Sequence, residues 1–544
     1  MSRLKLQIEG MTCAHCEQSS AYALTAAGAK QTEVDWRRGE AVLDFAGDPE
    51  RLTSAVKEVG YVPGVVEFLE VPTTVPRAAG GGDYDLVAIG AGSAAFAAAI
   101  RATNLGARVA IVERNTVGGT CVNVGCIPSK NLLAASENFH RAGHHPFAGV
   151  STKQVGVDMS VLVGMKNDIV GELRQAKYED LADHYGFEII RGDARFIGPD
   201  TIDVDGREIR AGHFVIATGS APSVAPLDGL EEAGYLTSTT AMELKELAES
   251  LIVVGGGYVG LEMGQIFRHL GVKVTIIASG EVLAPREEPE ISQWITRVFR
   301  DEGFEVVTSA RAIRVEGGEH KTVIANVDGS EQAFRAEEIL MATGRKPVLE
   351  GLDLGKAGVE VNNDGRMKLD DELRTTNPRV FAAGDVTGAP QFVYVAAAHG
   401  TLVADNAIKD ARRKMDYKAL PHVIFTSPNI AGVGMTEAEA LQAGFECDCR
   451  TLELKDVPRP IVNVDTRGGF KIVADKSTGK VLGVHAVAEN AGDVMLAAVY
   501  AVKFGLTVED LADTWAPYLT MAEGLKLTAQ TFTTDVSMLS CCAA

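Results

Sequence analysis

The amino-acid sequence predicts a multidomain protein of mixed α/β and α+β class, with two Rossmann-like dinucleotide-binding domains and an N-terminal ferredoxin-like βαββαβ unit. Three observations predict it. The chain has 544 residues, too many for a single hydrophobic core. A strand, a Gly-rich turn and a helix follow one another in YDLVAIGAGSAAFAAAI from Tyr84, and the same succession recurs in ESLIVVGGGYVGLEMGQIFRHL from Glu249. Ahead of both, residues 1–70 alternate strand-like and helix-like stretches in an order of their own.

In that first stretch, RLKLQIEG, GEAVLDF and GVVEFLEV read as strands, and AHCEQSSAYALTAAGA and DPERLTSAVKEVG as helices. Asp48 ahead of Pro49 fits an N-cap for the second helix. The order β-α-β-β-α-β is the ferredoxin-like one. The segment PTTVPRAAGGGD that follows has linker composition.

GMTCAHC lies where the first strand gives way to the first helix, so Cys13 and Cys16 face one point at a helix start. A tetrahedral zinc site needs two more ligands, and the segment has no third cysteine. Capture of a soft, two-coordinate ion such as Cu(I) or Hg(II) fits the pair better than zinc or thioredoxin-like redox chemistry. The string resembles the heavy-metal-associated domain of copper chaperones and mercury-binding proteins, which implies Cys13 and Cys16 as metal ligands.

The first fingerprint is Gly90-x-Gly92-x-x-Ala95, opening a helix, and the next strand ends at Glu113. Glycines for the turn, a helix N-terminus for pyrophosphate and an acid for ribose hydroxyls form the full dinucleotide pattern. In the second, Gly255, Gly257 and Gly260 recur, but the position matching Glu113 is Ala278, followed by Ser279. Without a carboxylate to repel a 2′-phosphate, and with Arg286 nearby as its candidate partner, the second site favours NADPH over NADH.

Between the fingerprints stands GGTCVNVGCIPSKNLL. Pro128 suits the first turn of a helix, which places Cys126 at the positive end of the dipole and Lys130 one turn further on the same face. This string, FAAGDV around Gly384 and Asp385, and the ATG turns at 217–219 and 342–344 resemble the flavin disulfide reductases, the glutathione reductase and dihydrolipoamide dehydrogenase family. The resemblance spans about residues 84 to 535. It implies FAD held by Gly90, Gly92, Ala95, Glu113, Gly119, Thr120, Lys130, Gly219 and Asp385, and NADPH held by Gly255, Gly257, Gly260, Ser279, Arg286 and Gly344. It implies Cys126 as the thiolate facing the flavin, Cys121 as the outer thiol, and Lys130 paired with Glu262 beside the flavin.

That family completes its site with HPTxxE, whose His is the acid–base for a leaving thiol. Here the pattern falls on Tyr518-Leu-Thr-Met-Ala-Glu523, with Tyr in the His position. A phenol does not shuttle protons near neutral pH, so a disulfide substrate is disfavoured. The chain also ends in a cysteine pair, Cys541 and Cys542, two residues from the C-terminus. A relay of thiols passes a soft ion by ligand exchange without releasing it.

Together these features resemble the mercuric reductase family. The resemblance implies reduction of Hg(II) to Hg(0) by NADPH through FAD, in a homodimer where the tail of one subunit serves the other. It implies Tyr178 and Tyr518 at the metal site, and Hg(II) arriving as thiolate complexes of small thiols or from a mercury-transport protein. It sets domains at 1–70 (metal-binding), 71–83 (linker), 84–231 and 346–420 (FAD), 232–345 (NADPH) and 421–544 (dimerisation, α+β, with the tail). The rivals are a thioredoxin-reductase-like disulfide reductase, which retention of His at 518 would have favoured, a non-catalytic metal buffer, and a reductase of another soft metal ion.

With 73 acidic against 52 basic residues, the net charge of −21 argues against nucleic acid and anionic membrane as partners. No secretory signal or membrane-length apolar run is expected, which points to the cytoplasm. The eight cysteines fall in four close pairs, and paired thiols in a reducing compartment mean redox or metal chemistry more often than structure. Cys447 and Cys449 alone receive no role from the resemblance.

Overall fold

In the computed structural model, which describes residues 2–45, 47–68 and 82–535, the chain divides into two units, residues 1–80 and 81–544. The first unit runs β1 (Ser2–Glu9), α1 (Ala14–Ala26), β2 (Lys30–Asp35), β3 (Glu40–Phe45), α2 (Glu50–Glu58) and β4 (Val62–Phe68). Its antiparallel sheet has the order β2-β3-β1-β4. Period-two patterning puts Leu4, Leu6 and Ile8 of β1 and Ala41, Leu43 and Phe45 of β3 inside. Leu52 and Val56, four apart on α2, close over them. Each large side chain buried this way contributes about 2 kcal/mol. The Asp48 carboxylate accepts the Glu50 N–H at 3.0 Å, and α2 begins after Pro49.

The second unit opens with β5 (Tyr84–Ile89), α3 (Ser93–Asn104), β6 (Val109–Glu113), α4 (Gly119–Val124) and α5 (Cys126–His144). Helix α6 (Met159–Arg174) then runs through a π-helical turn (Gln175–Glu179) into α7 (Asp180–Tyr185). Strands β7 (Glu188–Arg191), β8 (Ala194–Gly198), β9 (Thr201–Val204) and β10 (Arg207–Ile216) complete a sheet ordered β7-β6-β5-β10-β9-β8. β5 runs parallel to both β6 and β10. Five of the six alanines of α3, Ala94, Ala95, Ala98, Ala99 and Ala102, are buried, so small side chains let this helix lie close against its neighbours.

After β11 (Ser220–Pro222) and the short helices α8 (Leu230–Ala233) and α9 (Ser238–Ala241), the pattern repeats. β12 (Ser250–Val254), α10 (Tyr258–His269), β13 (Lys273–Ile277), α11 (Pro289–Asp301) and β14 (Glu305–Val307) precede a three-stranded meander, β15 (Ala310–Glu316), β16 (Lys321–Val327) and β17 (Ser330–Ala336). With β18 (Glu338–Met341) the parallel sheet is ordered β14-β13-β12-β18. The chain then returns: β19 (Arg345–Pro347) pairs with β11, β20 (Val380–Ala382) with β10, and α12 (Val393–Lys409) packs on α3.

The last sheet, β21-β22-β25-β24-β23, is antiparallel. Its strands are β21 (Pro421–Ile424), β22 (Asn429–Gly434), β23 (Cys447–Glu453), β24 (Gly469–Asp475) and β25 (Val481–Ala488). It carries α13 (Glu437–Gln442), α14 (Pro458–Asn463), α15 (Ala491–Phe504), α16 (Val508–Asp513) and α17 (Ala522–Gln530). Among the described residues, no helix is long and apolar enough to cross a membrane. Most of the expected linker and the terminal Cys541–Cys542 pair lie outside the described residues.

Candidate active site

Two loops of the second unit carry dinucleotide geometry and are built alike. Ile89 pairs with Val112, and the Gly90 N–H donates to Val112 O at 2.8 Å. Val254 pairs with Ile277, and the Gly255 N–H donates to Ile277 O at 2.9 Å. The shared register fixes which residue follows the last paired position of each neighbouring strand: Glu113 after Val112 in one loop, Ala278 after Ile277 in the other. Glu113 Oε2 accepts the Ala91 N–H at 2.8 Å and Oε1 the Asn115 N–H at 2.7 Å, which holds the carboxylate beside the glycine turn. Ala278 is buried, while Ser279 and Arg286 are exposed.

Helices α3 and α10 start at the glycine N-caps Gly92 and Gly257, and neither has a side-chain cap. Their first N–H groups and dipoles are therefore open to an anion. Gly119 is pressed so close to Gly92 that a Cβ on it would stand 2.6 Å from the Gly92 Cα. Thr120 follows Gly119 in α4, and Ala95 is buried in α3. Backbone walls, an open helix end and an acid for a sugar are what a flavin or nicotinamide dinucleotide requires, so the residues fit.

The two ATG turns lead into the antiparallel β11–β19 pair from opposite ends, where Ser220 opposes Pro347 and Pro222 opposes Arg345. Just beyond Gly219, Ser220 Oγ donates to Asp385 Oδ2 at 2.8 Å. Just beyond Gly344, Arg345 donates from Nε to Ser220 Oγ at 2.8 Å and from a terminal nitrogen to Ser220 O at 2.7 Å. Sequence reasoning named Asp385 but missed Arg345, whose only signal was its place directly after the second ATG.

Cys121 lies in α4 and Cys126 opens α5, and both thiols are free. The hydrogen bond from the Cys121 thiol is the largest influence on Cys126 and lowers its pKa to about 7. The Lys130 charge and the helix-start N–H assist, while burial and Glu262 oppose. The same bond, then burial, pushes Cys121 up. Near neutral pH the pair shares one proton, with the thiolate on Cys126.

Lys130 Nζ sits 2.6 Å from Glu262 Oε2, and Glu262 Oε1 accepts the Phe425 N–H at 2.9 Å. The ammonium also lies 4.7 Å from the Phe425 ring centroid, a cation–π contact. Replacing Lys130 with Met removes a charge that favours the thiolate, so the Cys126 midpoint rises above about 7. The pH dependence of alkylation in the reduced enzyme measures it, and an unmoved midpoint contradicts the electrostatic assignment.

Tyr178 sits in the π-helical turn, a feature frequent at functional sites. Its hydroxyl is hydrogen-bonded to Ser93 Oγ at 3.2 Å, and its ring meets Phe96 edge-on at 4.8 Å. Burial is the main cause that raises its pKa, and the negative charge of the cysteine pair adds to it. Tyr394, which sequence reasoning also missed, is pushed up to about 12 by burial and the Cys126 charge. Tyr518 is half exposed, between α16 and α17, beside Leu519 at φ +60°. Thr520 bonds Pro517 O at 2.8 Å, and Glu523 is buried.

In the first unit, Cys13 is the N-cap of α1, and its Sγ lies 3.3 Å from that of Cys16. Cys16 is lowered to about 6, first by the Thr12 N–H, then by the Tyr61 hydroxyl and the Cys13 thiol. Tyr61→Phe removes one donor to the thiolate, so the Cys16 midpoint moves up from about 6. Alkylation against pH, followed by peptide mass, reads it, and an unchanged midpoint rejects the contact.

The family model for pyridine nucleotide-disulphide oxidoreductases matches residues 84–400, and the model for their dimerisation domain matches residues 420–529. A mercuric reductase of Bacillus cereus is 49% identical over 551 residues, covering 100% of this chain and 87% of the relative. One from Streptomyces lividans is 53% identical over 468 residues, covering 85% and 98%. Among solved structures, the Cu(II) complex of the HOCl-induced flavoprotein disulfide reductase RclA from Escherichia coli superposes with a TM-score of 0.75 at 30% identity, covering 83% of this chain and 99% of that one. The chain belongs to the mercuric reductase group of the pyridine nucleotide-disulphide oxidoreductase family.

Proposed function

We propose that this protein reduces Hg(II) to Hg(0) at the expense of NADPH, by the balance Hg(II) + NADPH → Hg(0) + NADP⁺ + H⁺. The observation that carries the reading is the Cys121/Cys126 pair, with a thiolate favoured on Cys126 and the Lys130–Glu262 ion pair beside it, in a chain that holds Tyr518 where its disulfide-reducing relatives hold an acid–base histidine. The full-length similarity to mercuric reductases supports it.

FAD, when bound, supplies the two-electron relay between nicotinamide and thiols. Gly90, Gly92, Ala95, Gly119 and Thr120 would hold its pyrophosphate, Glu113 its ribose, and Gly219 and Asp385 the chain that leads to the ring. Lys130, kept in place by Glu262, would offer its ammonium to the negative charge of the flavin. Gly255, Gly257, Gly260 and Gly344 would cradle NADPH, and Ser279 and Arg286, with Ala278 offering no charge, would accept a 2′-phosphate. Cys121 and Cys126 bind the metal as thiolates. Tyr178 and Tyr518 line the site and donate no proton to a leaving thiol, which a metal substrate does not require.

Residues 1–70, in the ferredoxin-like order, form the heavy-metal-associated domain. They capture Hg(II) on Cys13 and Cys16 from small thiols or a transport protein, and the 71–83 linker tethers the load. Residues 84–231 and 346–420 bind FAD, 232–345 bind NADPH, and 421–544 dimerise. Cys541 and Cys542 of one subunit pass the ion to the thiol pair of the other, in the cytoplasm. A second reading, reduction of Cu(II), is favoured by one observation: a solved relative is a Cu(II) complex.

The flavin-loaded enzyme, given Hg(II) in excess thiol, is expected to oxidise NADPH and release mercury vapour, with little turnover of glutathione disulfide, lipoamide, oxidised thioredoxin or Cu(II). Turnover of a disulfide without mercury vapour overturns the proposal, and preference for Cu(II) selects the second reading.

A further inference from the structure

Cys447 and Cys449 are the described thiols that the reaction does not use. They lie on β23, the edge strand of the last sheet, where Cys447 opposes Asp475 and Cys449 opposes Val473 of β24. Two residues apart on a strand, they project from the same face, with Cα atoms about 7 Å apart. Both are partly exposed and free. Their surroundings are anionic. The charge of Glu437, at the start of α13, reaches both thiols, and those of Asp475 and Glu288 reach Cys447. Lys471 is set among these acids, its Nζ bonded to Glu437 Oε2 at 2.9 Å, Glu288 Oε2 at 3.0 Å and Glu290 Oε2 at 2.9 Å.

We infer that Cys447 and Cys449 form a second soft-metal site, which chelates a thiophilic d¹⁰ cation such as Hg(II) on two sulfurs. The donor set suits it. Two sulfurs select a soft ion, and a nearby carboxylate adds charge without the four-ligand cage of structural zinc. The resting pair is protonated, because burial, ahead of Glu437, pushes Cys449 up to about 12. A metal therefore enters by proton-coupled exchange: (RS)₂Hg + 2 Cys–SH → (Cys–S)₂Hg + 2 RSH. Two S–H bonds at the protein break and two form on the departing small thiols, with no change of oxidation state. The site then holds metal away from the Cys121/Cys126 pair. Neither its formation nor its test depends on reduction.

The test loads the full-length, flavin-bound protein with Hg(II) as its glutathione complex in excess glutathione, without NADPH, and counts mercury per chain after gel filtration. The Cys447→Ser, Cys449→Ser double variant is expected to bind about one equivalent less than the parent, and Cys447→Ser alone to lose the same amount, because a single thiol does not compete with free glutathione whereas a chelating pair does. Mercury-dependent NADPH oxidation should be unchanged in both. Equal stoichiometry in parent and double variant overturns the site, and a single variant that keeps its mercury overturns the pairing. Should the variants fold poorly, maleimide labelling of the unaltered protein decides. Preloaded Hg(II) should slow labelling at Cys447 and Cys449 by about an order of magnitude or more, and no protection rejects the inference.

Discussion

Replacing Cys126 with Ala is expected to lower mercury-dependent NADPH oxidation by about a thousand-fold or more while leaving FAD bound, since groups acting as one catalytic unit fail together. The expectation rests on an asymmetry within the pair. Cys126 opens α5 and receives the Cys121 hydrogen bond, the helix-start N–H and the Lys130 charge, so it carries the thiolate from about pH 7 upward. Cys121 is the proton holder. Cys121→Ser is expected to be equally inactive, but its hydroxyl still donates to Cys126, so the midpoint near 7 persists. In Cys126→Ala, Cys121 loses the acceptor that held its proton and its pKa falls, though burial keeps it above that of an exposed thiol. Alkylation against pH separates the two dead enzymes. Cys126→Ala keeping more than about a hundredth of the parental rate would remove the thiol pair from the mechanism.

The thiol pair was legible because its neighbours have few other reasons to occur together: a proline that starts a helix, a cysteine at the dipole end, a lysine one turn on. Lys130 and Glu262 are 132 residues apart in sequence, and only the family resemblance joined them before the 2.6 Å contact was seen. Arg345, Tyr394 and Tyr61 escaped notice for a common reason. Each acts by approaching a group from a distant element, and no local spacing records that approach. Glu113 and Ala278 were matched by counting from the glycines, and the identical strand register explains why counting works there. Strands β1 and β3 were legible from alternation, since Leu4, Leu6 and Ile8 in β1 and Ala41, Leu43 and Phe45 in β3 follow period two. The π-helical turn at Tyr178 had no such signal, because a single turn is too short to show a period of its own.

Gly90→Ala and Gly255→Ala are expected to separate the two cofactors. Gly90 has φ +104°, and a Cβ there would stand 2.5 Å from Ala217 O. Gly255 has φ +128°, and its Cβ would stand 2.3 Å from Ala342 O. The colliding carbonyls belong to the two ATG turns, so the repeated tripeptide and the repeated fingerprint are halves of one device. The first residue of each ATG supplies the backbone wall against which the first glycine of the fingerprint turns. Each substitution combines left-handed backbone strain with a backbone clash, at a cost of about 3 kcal/mol or more confined to its own loop. Gly90→Ala should be purified largely without flavin. Gly255→Ala should keep its flavin, yet its KM for NADPH should rise by about ten- to a hundred-fold, or 1.4 to 2.7 kcal/mol of lost binding. Flavin absorbance per chain and stopped-flow reduction by NADPH read the two effects independently. If Gly255→Ala shed the flavin while Gly90→Ala retained it, the order of the two dinucleotide sites along the chain would be reversed. The reasoning from Glu113 to a flavin ribose, and from Ala278 to a 2′-phosphate, would then fall with it.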